Sequence, residues 1–159
     1  MSKRKPICVG ICGYKKSGKT VLIEQLLEVL IAEGLSVGVV KHHNEPVEAD
    51  TPGTDTYRFF QAGADVVGYD GKTLSLHRHQ TGEFNLAEEL GFLVNKKDLV
   101  LVEGFKKSAI PKIWLLREGE TEAPKAVEQV LAVLEESKER LPKALEVIRE
   151  LMQGFNTDR

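Results

Sequence analysis

The sequence predicts an α/β fold: a mostly parallel sheet flanked by helices, with a β-hairpin and a helical segment toward the C-terminal end. Three observations carry this. Residues 7–11, 35–40 and 99–102 are short, almost continuously apolar runs, as expected of strands buried on both faces. A stripe of helical period separates the first two runs. A glycine-rich turn joins the first run directly to that stripe, which is how a βαβ unit opens.

Ile7-Cys8-Val9-Gly10-Ile11 reads as the first strand. Ile23, Leu26, Leu27, Leu30 and Ile31 then recur at i, i+3, i+4, i+7 and i+8, the spacing of a helix with one buried stripe, and Gly34 stands where a C-terminal cap belongs. Residues 35–40 form the second strand, and a right-handed crossover is expected between the two. Residues 41–55 carry Pro46, Pro52 and Gly53 and read as a loop, followed by a short helix over 56–62 that ends at Gly63. Residues 64–69 and 73–76 flank Asp70-Gly71, a dipeptide that favours hairpin turns. Asn85, with Glu88 three residues on, resembles a capping box and predicts a helix to about Val94. Residues 99–102 and 112–117 supply further strands. From Pro124 onward the spacing predicts two amphipathic helices, one with the stripe Val127, Val130, Leu131 and Leu134, the other with Leu141, Leu145, Ile148 and Met152 and Pro142 near its start. The expected organisation is a nucleotide-binding domain over residues 1–120 and a charged helical extension over 121–159 packed on it.

Composition narrows the classes. The chain has 159 residues, 42% hydrophobic and 29% charged, ordinary values for one soluble domain with a real core. Its apolar runs fall well short of a membrane span, so a cytoplasmic protein with no membrane role is expected. Lys3, Arg4 and Lys5 lead straight into a glycine-rich turn rather than a long apolar stretch, so no signal peptide is expected. A net charge of −2 gives no reason to expect nucleic acid as a partner. Cys8 and Cys12 share one face of one strand, too far apart to bridge, and no Cys/His cluster has zinc spacing.

The chemistry begins after the first strand. Gly13-Tyr14-Lys15-Lys16-Ser17-Gly18-Lys19-Thr20 matches G-x-x-x-x-G-K-[ST], between a buried strand and an amphipathic helix, where a P-loop must lie. Its glycines let the backbone wrap phosphate oxygens, and the helix N-terminus adds the positive end of its dipole. Lys19 is the expected phosphate-binding cation and Thr20 the Mg²⁺ ligand. The fold expected is therefore that of P-loop NTPases. Leu99-Val100-Leu101-Val102-Glu103-Gly104 is an apolar strand ending in a carboxylate, so Glu103 stands at the Walker B position, able to hold a metal-bound water or orient an attacking one. Lys41 and His42 follow the second strand at its carboxyl end, where ligands of open α/β sheets bind. Asp50, Asp55 and Arg58 are candidates for a metal-linked carboxylate pair and a charge clamp, and equally fit a solvated, capped helix start. Asn95-Lys96-Lys97-Asp98 has the letters of a guanine-selecting N-K-x-D element but precedes its strand, which puts it at the wrong edge of the sheet.

Together with Val40-Lys41-His42-His43, Asp50 through Arg58, Ala62-Gly63-Ala64, Asp98 through Lys106 and Ile110-Pro111-Lys112-Ile113, the P-loop resembles the molybdopterin-guanine dinucleotide biosynthesis protein B family, over about residues 7–118. The resemblance implies a GTP-binding accessory protein with weak GTPase activity and Mg²⁺. Such a protein would assist a guanylyl transferase that itself makes the dinucleotide, and would be a homodimer. It supports Lys19 and Thr20 at phosphate and magnesium and Glu103 at the Walker B site, with contributions from Lys41, His42, Asp50 and Asp55. Beyond about residue 120 no family motif is found. Two other readings compete: a P-loop small-molecule kinase, disfavoured by the scarcity of arginines, and a nucleotide-gated scaffold without significant turnover.

Overall fold

Strand β1 (Ile7–Gly13) is apolar at almost every position because it runs through the middle of a parallel sheet. The computed structural model describes residues 7–43, 50–80, 82, 85, 91 and 96–157. These divide between two units, Met1–His42 with Leu90–Arg159, and His43–Glu89.

In the first unit, β1 is followed by α1 (Lys19–Ala32), β2 (Val37–Lys41), β5 (Leu99–Glu103), β6 (Lys112–Leu115), β7 (Val130–Leu134) and a C-terminal helix, here α3 (Arg140–Thr157). The sheet order is β2-β5-β1-β6-β7, all parallel. The chain moves from β1 outward to β2 on one side and later fills β6 and β7 on the other, so the switch point lies at β1, just where the P-loop leaves it. One face of the sheet, Ile7, Val9, Ile11, Leu99, Leu101, Ile113, Leu115 and Leu134, packs with Leu22, Leu26 and Leu30 of α1 and Ala144, Leu145 and Ile148 of α3. On the other face Cys12, Trp114 and Leu116 pack with Ala123, Val127 and Val130. Both cysteines are free, and Cys12 is fully buried. Helix α1 ends as its glycine predicts: Gly34 adopts φ 88°, and the Leu35 amide returns to the Leu30 carbonyl at 3.1 Å. Ile31, expected on the buried stripe, is exposed, and Leu22 takes the inward position instead.

The C-terminal expectation is corrected at one element. Val127, Val130, Leu131 and Leu134 do not form a helical stripe, and residues 121–159 are not helical throughout; residues 130–134 are β7, an edge strand of the parallel sheet. Burial there alternates, Val130, Ala132 and Leu134 partly or fully buried and Leu131 and Val133 exposed; Ala132 and Leu134 join the face covered by α1 and α3, while Val130, before the register shift, packs on the Trp114 side. A five-residue apolar run can satisfy a helical spacing by accident, and pairing to β6 decides the matter. The pairing shifts register between Lys112 and Ile113, beside Gln129 at φ 58°. The second helix of the pair is present as α3, with Pro142 in its first turn, where its missing N–H costs nothing.

In the second unit, α2 (Asp55–Gln61) is capped by Thr54, whose hydroxyl accepts from the Tyr57 amide at 3.3 Å. β3 (Val66–Tyr69) and β4 (Leu74–His77) pair antiparallel as the Asp70-Gly71 turn predicts. Asp70 accepts from the Lys72 and Thr73 amides, which holds its carboxyl below the usual carboxylate range. The helix expected from Asn85 to about Val94 lies largely outside the described residues.

Candidate functional site

The P-loop wraps as the glycines require. Gly18, the residue before α1, has φ 86°, and Lys16 has φ 66°. At Gly13 a Cβ would sit 2.4 Å from Ser17 Oγ and 2.7 Å from the Leu115 carbonyl, so only glycine fits. Among the described residues, the amides of Gly18, Lys19 and Thr20 have no carbonyl to bond, as at any bare helix start. Ser17 is buried, and its hydroxyl has no partner in the structure. Lys19 Nζ lies across the loop, donating to the carbonyls of Tyr14 at 2.7 Å and Gly13 at 3.2 Å. The result is a concave set of unpaired donors beside a primary ammonium, with the exposed Thr20 hydroxyl at its rim. That set fits an anionic phosphate chain with its Mg²⁺: oxygens would take the free amides, and Thr20 would stand next to the metal. Burial pushes the Lys19 ammonium below the ordinary lysine value, and the nearby Glu103 charge works against that shift.

Glu103 ends β5 beside β1 and is mostly buried, 13% of its side chain exposed. Its carboxylate is 3.7 Å from Lys41 Nζ, directly across on β2. The His42 amide donates to the Glu103 carbonyl at 3.0 Å, and the His42 ring lies 4.8 Å from Phe105. Gly104 at φ 94° and Phe105 at φ 52° make the tight turn that ends β5. The first unit thus brings Lys19, Lys41 and Glu103 to the carboxyl end of the sheet with the P-loop. Asp50, Asp55 and Arg58 belong to the second unit. There Asp50 accepts from the Thr56 hydroxyl and from the Thr51 amide at 2.7 Å, which lowers its pKa, while Asp55 and Arg58 form an exposed ion pair at 3.7 Å. Among the described residues, no three His, Cys, Asp or Glu side chains are grouped to hold a metal by themselves, so any Mg²⁺ would depend on phosphate oxygens as well. Asp98 accepts from the Ser36 amide and hydroxyl, both at 2.7 Å, at the amino ends of β2 and β5, far from the loop's end of the sheet.

Three features around the loop were not among the site residues expected from the sequence. Arg140, at the start of α3, is buried and donates to four carbonyls: Ser17 at 2.9 Å, Glu135 at 2.8 Å, Leu116 at 3.0 Å and Leu134 at 3.4 Å. It ties the P-loop to the ends of β6 and β7. Tyr14 packs edge-on to Trp114, with Lys106 Nζ and the Arg117 guanidinium each 4.7 Å from its ring centre. Lys112 is fully buried in β6, its ammonium held by the carbonyls of Ser108, Ile110 at 2.8 Å and Glu128 at 3.2 Å. Only Arg140 had a hint in the sequence: a cation among the charges between an apolar run and a new helix.

The family model described as molybdopterin guanine dinucleotide synthesis protein B matches residues 8–136. A probable molybdopterin-guanine dinucleotide biosynthesis adapter protein of Bacillus subtilis (strain 168) is 38% identical over 138 residues, 84% of this chain and 78% of that protein. The adapter protein of Haemophilus influenzae is 38% identical over 136 residues, 84% and 76% of the two chains. A crystal structure of a molybdopterin-guanine biosynthesis protein B superposes with a TM-score of 0.71 at 26% identity, covering 92% of this chain and 99% of the other.

Proposed function

Because the chain belongs to the molybdopterin guanine dinucleotide synthesis protein B family, we propose that it is a GTP- and Mg²⁺-binding adapter in molybdopterin-guanine dinucleotide biosynthesis, with weak GTPase activity, assisting a guanylyl transferase. The observation that carries this is the P-loop itself, with its unpaired amides, its unpartnered Ser17 hydroxyl and Lys19 across its mouth. Lys19 neutralises the β- and γ-phosphates, Thr20 ligates Mg²⁺, and Lys41 and His42 stand at the neighbouring strand end toward the terminal phosphate. Glu103 is the group that orients an attacking water: its carboxylate, 3.7 Å from Lys41 Nζ, would accept a hydrogen bond from that water.

The test separates binding from hydrolysis. In Glu103→Gln the expected result is GTP–Mg²⁺ affinity within about threefold of the parent, with hydrolysis reduced roughly a hundredfold, the loss typical of one positioned base. Loss of binding together with hydrolysis would refute the water-orienting role. Co-purification with the transferase in the presence of GTP, and its absence without nucleotide, checks the adapter role.

A further inference from the structure

Beyond the carboxyl ends of β6 and β7, inside the first unit, lies a cavity of about 200 Å³. Its apolar walls are Leu116 and Val133, and its polar ones Glu135, Ser137 and Lys143, with Arg140 between it and the P-loop. Arg140 is the structural link. The same guanidinium that lines the cavity donates to the Ser17 carbonyl at 2.9 Å, and a Cβ on Gly18 would sit 2.9 Å from its Nη1. The cavity therefore adjoins the phosphate cradle on the β6–β7 side of β1, in the crevice where open α/β sheets place the rest of a ligand whose phosphates sit at the switch point.

Given the phosphate-binding reading above, on which this rests, we propose that the cavity is the nucleobase subsite and that Glu135 makes it selective for guanine. The apolar walls suit a flat ring. An ionised carboxylate only accepts hydrogen bonds and an ammonium only donates them. Guanine presents two adjacent N–H donors, at N1 and the 2-amino group, next to the O6 acceptor. Glu135 can take the two donors, and Lys143 or the Ser137 hydroxyl can serve O6. Adenine offers an acceptor at N1, which a carboxylate repels. The loop after β7 thereby does the work that Asp98, at the amino ends of β2 and β5, is not placed to do.

Calorimetric titration with GTP, ATP and inorganic tripolyphosphate, each with Mg²⁺, tests this, because tripolyphosphate reads the phosphate cradle without a base. The parent chain is expected to prefer GTP over ATP by roughly tenfold to a hundredfold, the size of one lost charged hydrogen bond. In Glu135→Ala that preference disappears, GTP weakening and ATP binding no worse than in the parent, while tripolyphosphate binds as before. In Val133→Trp, which fills the cavity, both nucleotides weaken at least tenfold and tripolyphosphate does not. If the parent does not distinguish the bases, or Glu135→Ala keeps the preference, or Val133→Trp binds nucleotides as the parent does, the subsite is elsewhere. If the parent binds none of the three, the phosphate-binding reading itself fails, which tripolyphosphate alone reveals.

Discussion

At the scale of single residues the site depends on charges held against their preference. Lys19 is partly desolvated by its own loop, so its ammonium loses its proton more readily than an exposed lysine does. The unfolded chain keeps that proton to higher pH, so this residue's contribution to stability rises with pH in the window below the ordinary lysine value of 10.5. Phosphate binding runs the other way, because only the charged form is attracted. Tripolyphosphate affinity is therefore expected to fall in the parent as pH rises toward the ordinary lysine value of 10.5, beginning below it, and to stay nearly flat in Lys19→Arg, whose guanidinium remains charged. Equal slopes in the two proteins would remove Lys19 from the role. The P-loop letters were legible because backbone geometry dictates them: Gly13 and Gly18 stand where nothing larger fits. Lys112, Trp114 and Lys106 were not legible as a group, since what makes each of them matter is a partner distant in sequence, such as Glu128 for Lys112 or Tyr14 for Lys106.

Among elements, β1, α1, β2, β5 and the hairpin follow from local pattern, each bounded by a glycine or a turn dipeptide that the backbone needs. β7 does not. Val130-Leu131-Ala132-Val133-Leu134 fits either period over so few residues, and its identity is fixed by β6, where the Lys112 amide donates to the Gln129 carbonyl at 2.8 Å and the Leu116 amide to Leu134 at 2.9 Å. Its consequence for the site is Arg140, which α3 can deliver to the P-loop only because β7 precedes it in the sheet. Removing that guanidinium leaves buried carbonyls from three segments unpaired, each worth about 1–3 kcal/mol. Arg140→Met is accordingly expected to lose at least about 3 kcal/mol in urea unfolding. A change below about 0.5 kcal/mol, the ordinary range for surface substitutions, would show that the clamp holds nothing.

For the whole molecule, the homodimer that the resemblance implies is a further proposal, and the second unit offers a surface consistent with it. Val67, Tyr69, Leu74 and Leu76 are exposed on a hairpin that, among the described residues, pairs with no third strand, an apolar feature that proteins tend to cover. Leu74→Glu is expected to weaken self-association at least tenfold by light scattering or sedimentation without changing GTP affinity, and an unchanged mass would place the interface elsewhere. The central claim is simpler and belongs to the intact chain: the loop after β1 is a working nucleotide cradle. Calorimetric titration of the parent and of Lys19→Ala with GTP in the presence of Mg²⁺ tests it most directly. The parent is expected to bind GTP at one site per chain, more weakly when Mg²⁺ is chelated, and Lys19→Ala to lose that binding; a parent that binds no GTP, or a Lys19→Ala chain that binds it equally well, would rule the cradle out.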